Sequence, residues 1–216
     1  MEQETILVCG AHADDPEIAM GGTIAKYAQE GKRVITVIFS FGEKSSPWLR
    51  EDILILDRKK EAKEIGAFLG STETIFLGLN DTKVSQEIMN PKIKEIVKKI
   101  IRMYHPAKIF THSATDNHAF GDHQAVHKIV MHAVQEIDKE QKMNVYTYEV
   151  WNLLKEDHPL IYVDITKTFK KKIQAMQKFK SQKASIYTLI IPVFIRAILA
   201  GFHNHCRFAE RFYRVR

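Results

Sequence analysis

Cysteine is scarce in this sequence: Cys9 and Cys206 are the two among 216 residues, and neither has the paired spacing of a zinc ribbon or a redox motif. That argues against a disulfide framework and fits a reducing cytoplasm. Export is not expected either. The opening Met-Glu-Gln-Glu-Thr is acidic and runs into a short apolar strand, whereas a secretory signal needs a basic start and a longer apolar stretch. No apolar run reaches the ~20 residues of a spanning helix, so no transmembrane span is expected. The nearest, Ile186 to Ala200, contains Pro192 and Arg196 and reads as a buried or partner-facing helix, suited to a contact in a homo-oligomer. Repeats, low-complexity tracts and linkers are lacking, so a single domain over residues 1–216 is expected. The turn after the first strand has no Gly-x-Gly-x-x-Gly, which argues against a dinucleotide-binding oxidoreductase.

What is present suffices for a full core, since 45% of the chain is hydrophobic and 27% charged. The formal charge of +6 is concentrated late. Lys167, Lys170, Lys171, Lys172, Lys178, Lys180 and Lys183 lie in one segment, and Arg207, Arg211, Arg214 and Arg216 in the tail. Such an excess bears on encounter and solubility rather than fold. Lysine runs are ordinarily solvated helix faces, so a basic nucleic-acid-binding module is the weaker reading and no nucleic-acid partner is expected. Peripheral contact with an anionic surface suits the segment better.

Thr5 to Cys9 is an apolar run ending at Gly10, residues 18–31 have helical spacing, and Val34 to Phe39 is a second apolar run. A helix from about Leu54 to Leu69, closed by Gly70, and a strand from Thr74 to Leu77 form the next unit. A helix from Pro91 to about Tyr104 and a strand from Lys108 to Thr111 form a third. A helix from Asp122 to about Asp138 and strands Val145 to Trp151 and Leu160 to Ile165 follow, and the remainder reads as helical with an interruption at Pro192. Strands alternating with helices predict an α/β fold: a Rossmann-like three-layer sandwich with a mainly parallel sheet and helices on both faces. Ligands in such folds bind beyond the carboxyl ends of the strands, where strand order reverses, which directs attention to the segments after strands one and four.

Both segments carry chemistry. After strand one stands His12-Ala-Asp14-Asp15-Pro16-Glu17. Asp15 followed by Pro16 would suit a helix N-cap, but that leaves His12 unexplained, and Asp14 and Asp15 would repel one another in a crowded turn unless a cation relieved them. After strand four come His112, Asp116, His118, Asp122 and His123. Two imidazoles, a carboxylate and water form a known catalytic zinc set. His127, one turn beyond His123, and His132 read as helix-surface or packing residues.

These motifs resemble the PIG-L/LmbE-like deacetylases, whose first motif usually reads Ala-His-Pro-Asp-Asp-Glu and whose second ends in Asp-His. Gly21-Gly22-Thr23, Arg58 with Glu61, Leu77-Gly-Leu-Asn-Asp81, Val163-Asp-Ile-Thr166 and Ala209-Glu-Arg-Phe212 extend the likeness almost end to end. The resemblance implies zinc-dependent removal of an acetyl group from an amino sugar, an N-acetylglucosamine-containing small molecule or glycan. It implies His12, Asp15 and His123 as the Zn2+ ligands, Asp14 as general base on zinc-bound water, and Arg58 and Asp81 facing substrate. The chain departs from the pattern where the family commonly places an acid His three residues before the ligand His: Phe120 stands there. His118, oriented by Asp122, is then the first choice for the acid, and His112 the second. Glu149 and Trp151 are candidates for contact with the sugar ring, and His203 and His205 for lining the pocket. Arg58 and Glu61 also fit a plain surface ion pair. A magnesium-dependent phosphoryl-transfer enzyme is the rival on a similar fold, but it would favour oxygen ligands, and the histidines argue for zinc.

Overall fold

Branched and aromatic residues fill the inner strands: Ile6, Val8, Val34, Val37 and Ile38 are buried, as strands covered on both faces must be. The computed structural model describes residues 3–45, 48–116, 120–150 and 159–216. The first half runs β1 (Thr5–Gly10), α1 (Asp15–Gln29), β2 (Arg33–Ser40), α2 (Glu51–Leu69), β3 (Glu73–Leu79), α3 (Val84–Glu87), α4 (Pro91–Tyr104) and β4 (Lys108–His112). The second runs α5 (Asp122–Ile137), β5 (Asn144–Tyr148), β6 (Leu160–Asp164), α6 (Phe169–Gln177), α7 (Lys183–His203) and β7 (Ala209–Arg214).

The seven strands lie in the order β3-β2-β1-β4-β5-β7-β6. All neighbours from β3 to β5 are parallel, and β7 runs antiparallel to both β5 and β6. One core packs α1, α2, α6 and α7 over one sheet face, through Ile18, Ile65, Met176 and Leu189 against Ile6, Val8 and Phe110. The opposite core packs α4 and α5, through Val97, Ile101, Val126 and Val130, against Leu7, Cys9 and Ile35. This is the three-layer arrangement that the alternation predicts, with β1 and β4 adjacent at the reversal of strand order.

Three expectations change. The tail after residue 208 is a strand rather than helix, because β7 finds partners on both sides of it. Pro192 does not interrupt α7, since both it and Thr188, whose carbonyl its missing N–H leaves free, are exposed. Residues 183–203 therefore form one helix of 21 residues, long and apolar enough by length and composition to cross a membrane. Its inner side, with Ile186, Leu189, Val193 and Ala197, is buried in the protein.

α1 is bent at Met20, whose φ of −137° and ψ of 24° leave the helical region. The amides freed beyond the bend are satisfied by the last strand: Gly22 N and Thr23 N donate to Glu210 Oε1 and Oε2 at 3.0 and 2.6 Å. Lys172 Nζ neutralises Glu210 at 2.6 Å, and Thr168 Oγ1 donates to Gly22 O at 2.8 Å. A Cβ on Gly22 would lie 2.7 Å from Ile165 Cδ1, so glycine is required there. The weak late motifs of the sequence thus meet the Gly-Gly-Thr motif in one buried junction.

Candidate active site

β1 ends at Gly10, and the chain turns so sharply that a Cβ there would lie 2.7 Å from Pro16 Cδ. The turn brings His12, Asp14 and Asp15 to the carboxyl end of the sheet, and all three are buried. Asp15 is not the N-cap that Asp15-Pro16 suggests: Asp14 holds that position, without a side-chain capping bond. Asp15 Oδ2 instead accepts from His12 N at 2.7 Å, because its side chain is turned toward the histidines. Glu17, only 2% exposed, lies beneath the turn, and burial pushes its carboxyl up to about 8.

The second segment supplies the facing half. The His123 ring lies with Nε2 3.5 Å from Asp15 Oδ2 and Nδ1 2.8 Å from Asp116 Oδ2. His112 stacks on His123 at 3.9 Å between centroids, with its Nε2 3.2 Å from Asp15 Oδ2. Ala11 N donates to His112 Nε2 at 2.9 Å, and His112 Nδ1 faces Asp116 Oδ2 at 3.3 Å. His112 has no solvent exposure and bridges Asp116 and Asp15. His127 Nδ1 reaches the His112 carbonyl oxygen at 2.9 Å, a packing role. His118 lies outside the described residues, as does Trp151.

Three groups of side chains bring ligand-type atoms within 4.8 Å of one another: His12–Asp15–His123, His112–Asp116–His123 and His12–Asp81–Asp122. The second is a hydrogen-bonded orienting network. In the third, Asp81 accepts from Thr82 N and Lys44 N at 2.9 Å each, and Asp122 Oδ2 from Thr82 N at 3.0 Å. The first group has the donor types that a zinc ion takes. It offers two imidazoles and a carboxylate, and Asp116 fixes the His123 ring so that Nε2 faces Asp15, the outer support that metal-binding histidines ordinarily have. Burial opposes a charge on His12, but Asp122, Asp15 and Asp81 outweigh it and hold its pKa well above the usual histidine value, a surround of carboxylates that would equally favour a bound cation. Burial drives His123 down to about 4, leaving a neutral ring able to donate a lone pair.

Arg58, on α2, is 3% exposed and does not pair with Glu61. Its Nη2 lies 3.3 Å from Asp14 Oδ1, while Nη1 donates to Gly42 O at 2.6 Å and Ser45 Oγ at 3.1 Å. Glu61 instead accepts from Lys180 N and Ser181 N at 3.0 Å each, tying α2 to the segment before α7. Burial raises the pKa of Asp14, and Arg58 opposes that shift. Asp14, Asp15, His12, Arg58, Asp81 and Phe120 line a cavity of about 210 Å³, closed on its apolar side by Ile18, Val150 and Leu189. Glu149 is not in it. Glu149 and His203 line a separate cavity of about 310 Å³ between α7 and β7, where Arg211 binds Glu149 at 3.0 Å, and His205 is exposed beyond α7.

Asp116 is a residue to which the sequence assigns no task, yet its Oδ2 faces His112, His123 and Val150 N together. Its position four residues after His112 and seven before His123 was the available signal.

Fold and side chains together define a Rossmann-like α/β protein with a buried histidine–carboxylate cluster at the reversal point of its sheet. A family model described as PIG-L, GlcNAc-PI de-N-acetylase, matches residues 7–134, and the chain belongs to that family. The "Uncharacterized deacetylase YaiS" of Escherichia coli is 27% identical over 184 residues, which cover 83% of this chain and 92% of the relative. The 1D-myo-inositol 2-acetamido-2-deoxy-alpha-D-glucopyranoside deacetylase of Thermomonospora curvata is 31% identical over 152 residues, covering 59% of this chain and 51% of that protein. Among solved structures, the N,N'-diacetylchitobiose deacetylase from Pyrococcus horikoshii superposes with a TM-score of 0.83 at 23% identity, over 99% of this chain and 84% of that one. The 4-carboxy-2-hydroxymuconate hydratase from Pseudomonas putida superposes at 0.80 with 20% identity, over 99% of this chain and 97% of that one. One fold thus carries unlike reactions, and the choice among them rests on the site.

Proposed function

We propose that the chain is a zinc-dependent N-deacetylase that hydrolyses the acetyl group from an N-acetylglucosamine-containing substrate, working in the cytoplasm as one domain over residues 1–216. The observation that carries this reading is the meeting of His12, Asp15 and His123 from two distant segments, with Asp14 beside them on the cavity wall. Family membership and the acetylated amino sugars in the names of two relatives supply the substrate class.

His12, Asp15 and His123 hold the ion in this reading. A bound zinc ion supplies Lewis acidity, lowering the pKa of a water and polarising an acyl oxygen. Asp14 accepts the proton of the water that adds to the acetyl carbon; burial moves its pKa toward the working range of a general base, and Arg58 keeps it ionised and aimed. Ile18, Val150 and Leu189 exclude bulk water from one side. Arg58 and Asp81 offer a donor and an acceptor to sugar hydroxyls. His118, with Asp122, is assigned the return of a proton to the departing nitrogen, and His112 is the second choice. Water and the amide thereby become acetate and a free amine.

A panel of acetylated amino sugars, assayed for acetate and amine release by metal-depleted protein before and after zinc is restored, tests the proposal. Zinc-dependent release that is lost in Asp14→Ala, with metal content retained, is expected. Absence of release from every sugar by folded, zinc-loaded protein would overturn it.

A further inference from the structure

The outer side of α7 has no use in the chemistry above. Tyr187, Ile191, Phe194, Ile195, Ile198, Leu199 and Phe202 recur at helical spacing on it, and each is 42–80% exposed. A stripe of this length on a water-facing helix ordinarily marks a contact with something apolar.

Its electrostatic setting tells what that is. Residues 165–209 contain nine Lys or Arg and no Asp or Glu. The whole chain carries +6, so the segment holds +9 and the remainder −3. Lys172 is consumed by Glu210, but Lys167, Lys170, Lys178, Lys180, Lys183 and Arg207 are exposed. Four of them stand near the stripe. Lys180 and Lys183 stand at the start of α7. Lys170 and Arg207 each adjoin a phenylalanine packed on Phe194: Phe169, at 5.4 Å between centroids, and Phe208, at 5.6 Å.

We infer that this face docks the protein peripherally on an anionic lipid bilayer, α7 lying in the plane of the headgroups with its apolar stripe inserted and the flanking cations on lipid phosphates. An apolar helix face flanked by cations, in a segment that contributes no carboxylate, suits such a surface. Nucleic acid would use the cations and leave the stripe unexplained. A second copy of this chain would bring two like-charged segments together. Spanning is disfavoured because the inner side of the helix is committed to the core through Ile186, Leu189, Val193 and Ala197. Gln182, Ser185 and Leu189 of the same region also line the 210 Å³ cavity, so docking sets the mouth of that cavity beside the bilayer.

The test is co-sedimentation of the full chain with vesicles of phosphatidylcholine alone and of phosphatidylcholine mixed with phosphatidylglycerol, at low and high salt. Binding to the mixed vesicles alone is expected, falling steeply as the screening length drops from about 10 Å at 0.1 M to about 3 Å at 1 M salt. Ile191→Ser and Phe202→Ser should each weaken partitioning on the order of tenfold. Lys180→Gln and Lys183→Gln should each cost roughly fivefold. None of these residues lies in the proposed active site, and unchanged circular dichroism and melting show that the variants are folded. No sedimentation with mixed vesicles at low salt overturns the inference. So does binding that resists high salt and alkaline carbonate, which marks an embedded helix, or a stable dimer in sedimentation velocity that Phe202→Ser dissociates. Salt-sensitive binding to duplex DNA that is indifferent to Phe202→Ser, without vesicle binding, overturns it too.

Discussion

Replacing Asp116 by Asn probes the organisation of the cluster at its hub. One buried oxygen, Oδ2, faces His123 Nδ1 at 2.8 Å, His112 Nδ1 at 3.3 Å and Val150 N at 3.2 Å. Asn keeps the shape and one carbonyl oxygen but removes the charge, so the His123 ring is held less firmly and its Nε2 becomes a weaker donor. Outer partners of metal-binding histidines carry about 10- to 100-fold in metal affinity. At about 1.4 kcal/mol per decade, that is roughly 1.4 to 2.7 kcal/mol. Competition with a chromophoric chelator at neutral pH measures it, with Asp14→Asn as the control expected to hold zinc as the parent does. Equal zinc affinity in folded Asp116→Asn and parent would refute the reasoning. Acid titration gives a second readout. Burial opposes the Asp116 charge, but His112 and His123 outweigh it and hold the carboxyl below its ordinary 3.8. A depressed folded pKa contributes stability above the unfolded value, and that contribution is lost as pH falls through the folded one. Metal-free parent should therefore weaken as pH drops below about 4, with this component missing in Asp116→Asn.

Arg58→Gln removes the cation that opposes the raised pKa of Asp14, so the acidic limb of kcat/KM should move to higher pH; an unmoved limb in a pH–rate profile contradicts the Asp14 assignment. Glu210→Ala strands a buried Lys172 and two amides of α1, and urea unfolding should show a loss of about 3 to 5 kcal/mol. A loss within experimental error would mean that the junction is not a stabilising element. Burial pushes the Cys9 thiol up to about 12, so a thiol reagent should modify Cys206 in the native protein and reach Cys9 only on unfolding.

The parts of the fold that are local in sequence were legible. β1, α1, β2 and α4 announce themselves by period and by Pro91, and adjacency of β1 and β4 follows from the alternation. β7 was not legible, because Ala209–Arg214 mixes apolar and charged residues and gains strand character from β5 and β6, both at least 45 residues earlier in the chain. In the site, residue types and spacing located His12, Asp14, Asp15 and His123. The contacts of Asp116 and Arg58 depend on which way a buried side chain turns, and no periodicity encodes that. Arg58 illustrates the point: a helical i, i+3 pattern suggests Glu61 as its partner, yet burial turns the guanidinium the other way, toward Asp14.

The brace between Glu210 and the bend of α1 has a consequence in time. A chain leaves the ribosome with its first residues leading, so His12 and Asp15 emerge long before the strand that steadies the helix behind them. Until β7 slots between β5 and β6, the bend of α1 lacks its carboxylate and Lys172 its counter-ion. A chain stopped short of residue 209 would leave the Gly22 and Thr23 amides without their acceptor and the buried Lys172 without its partner.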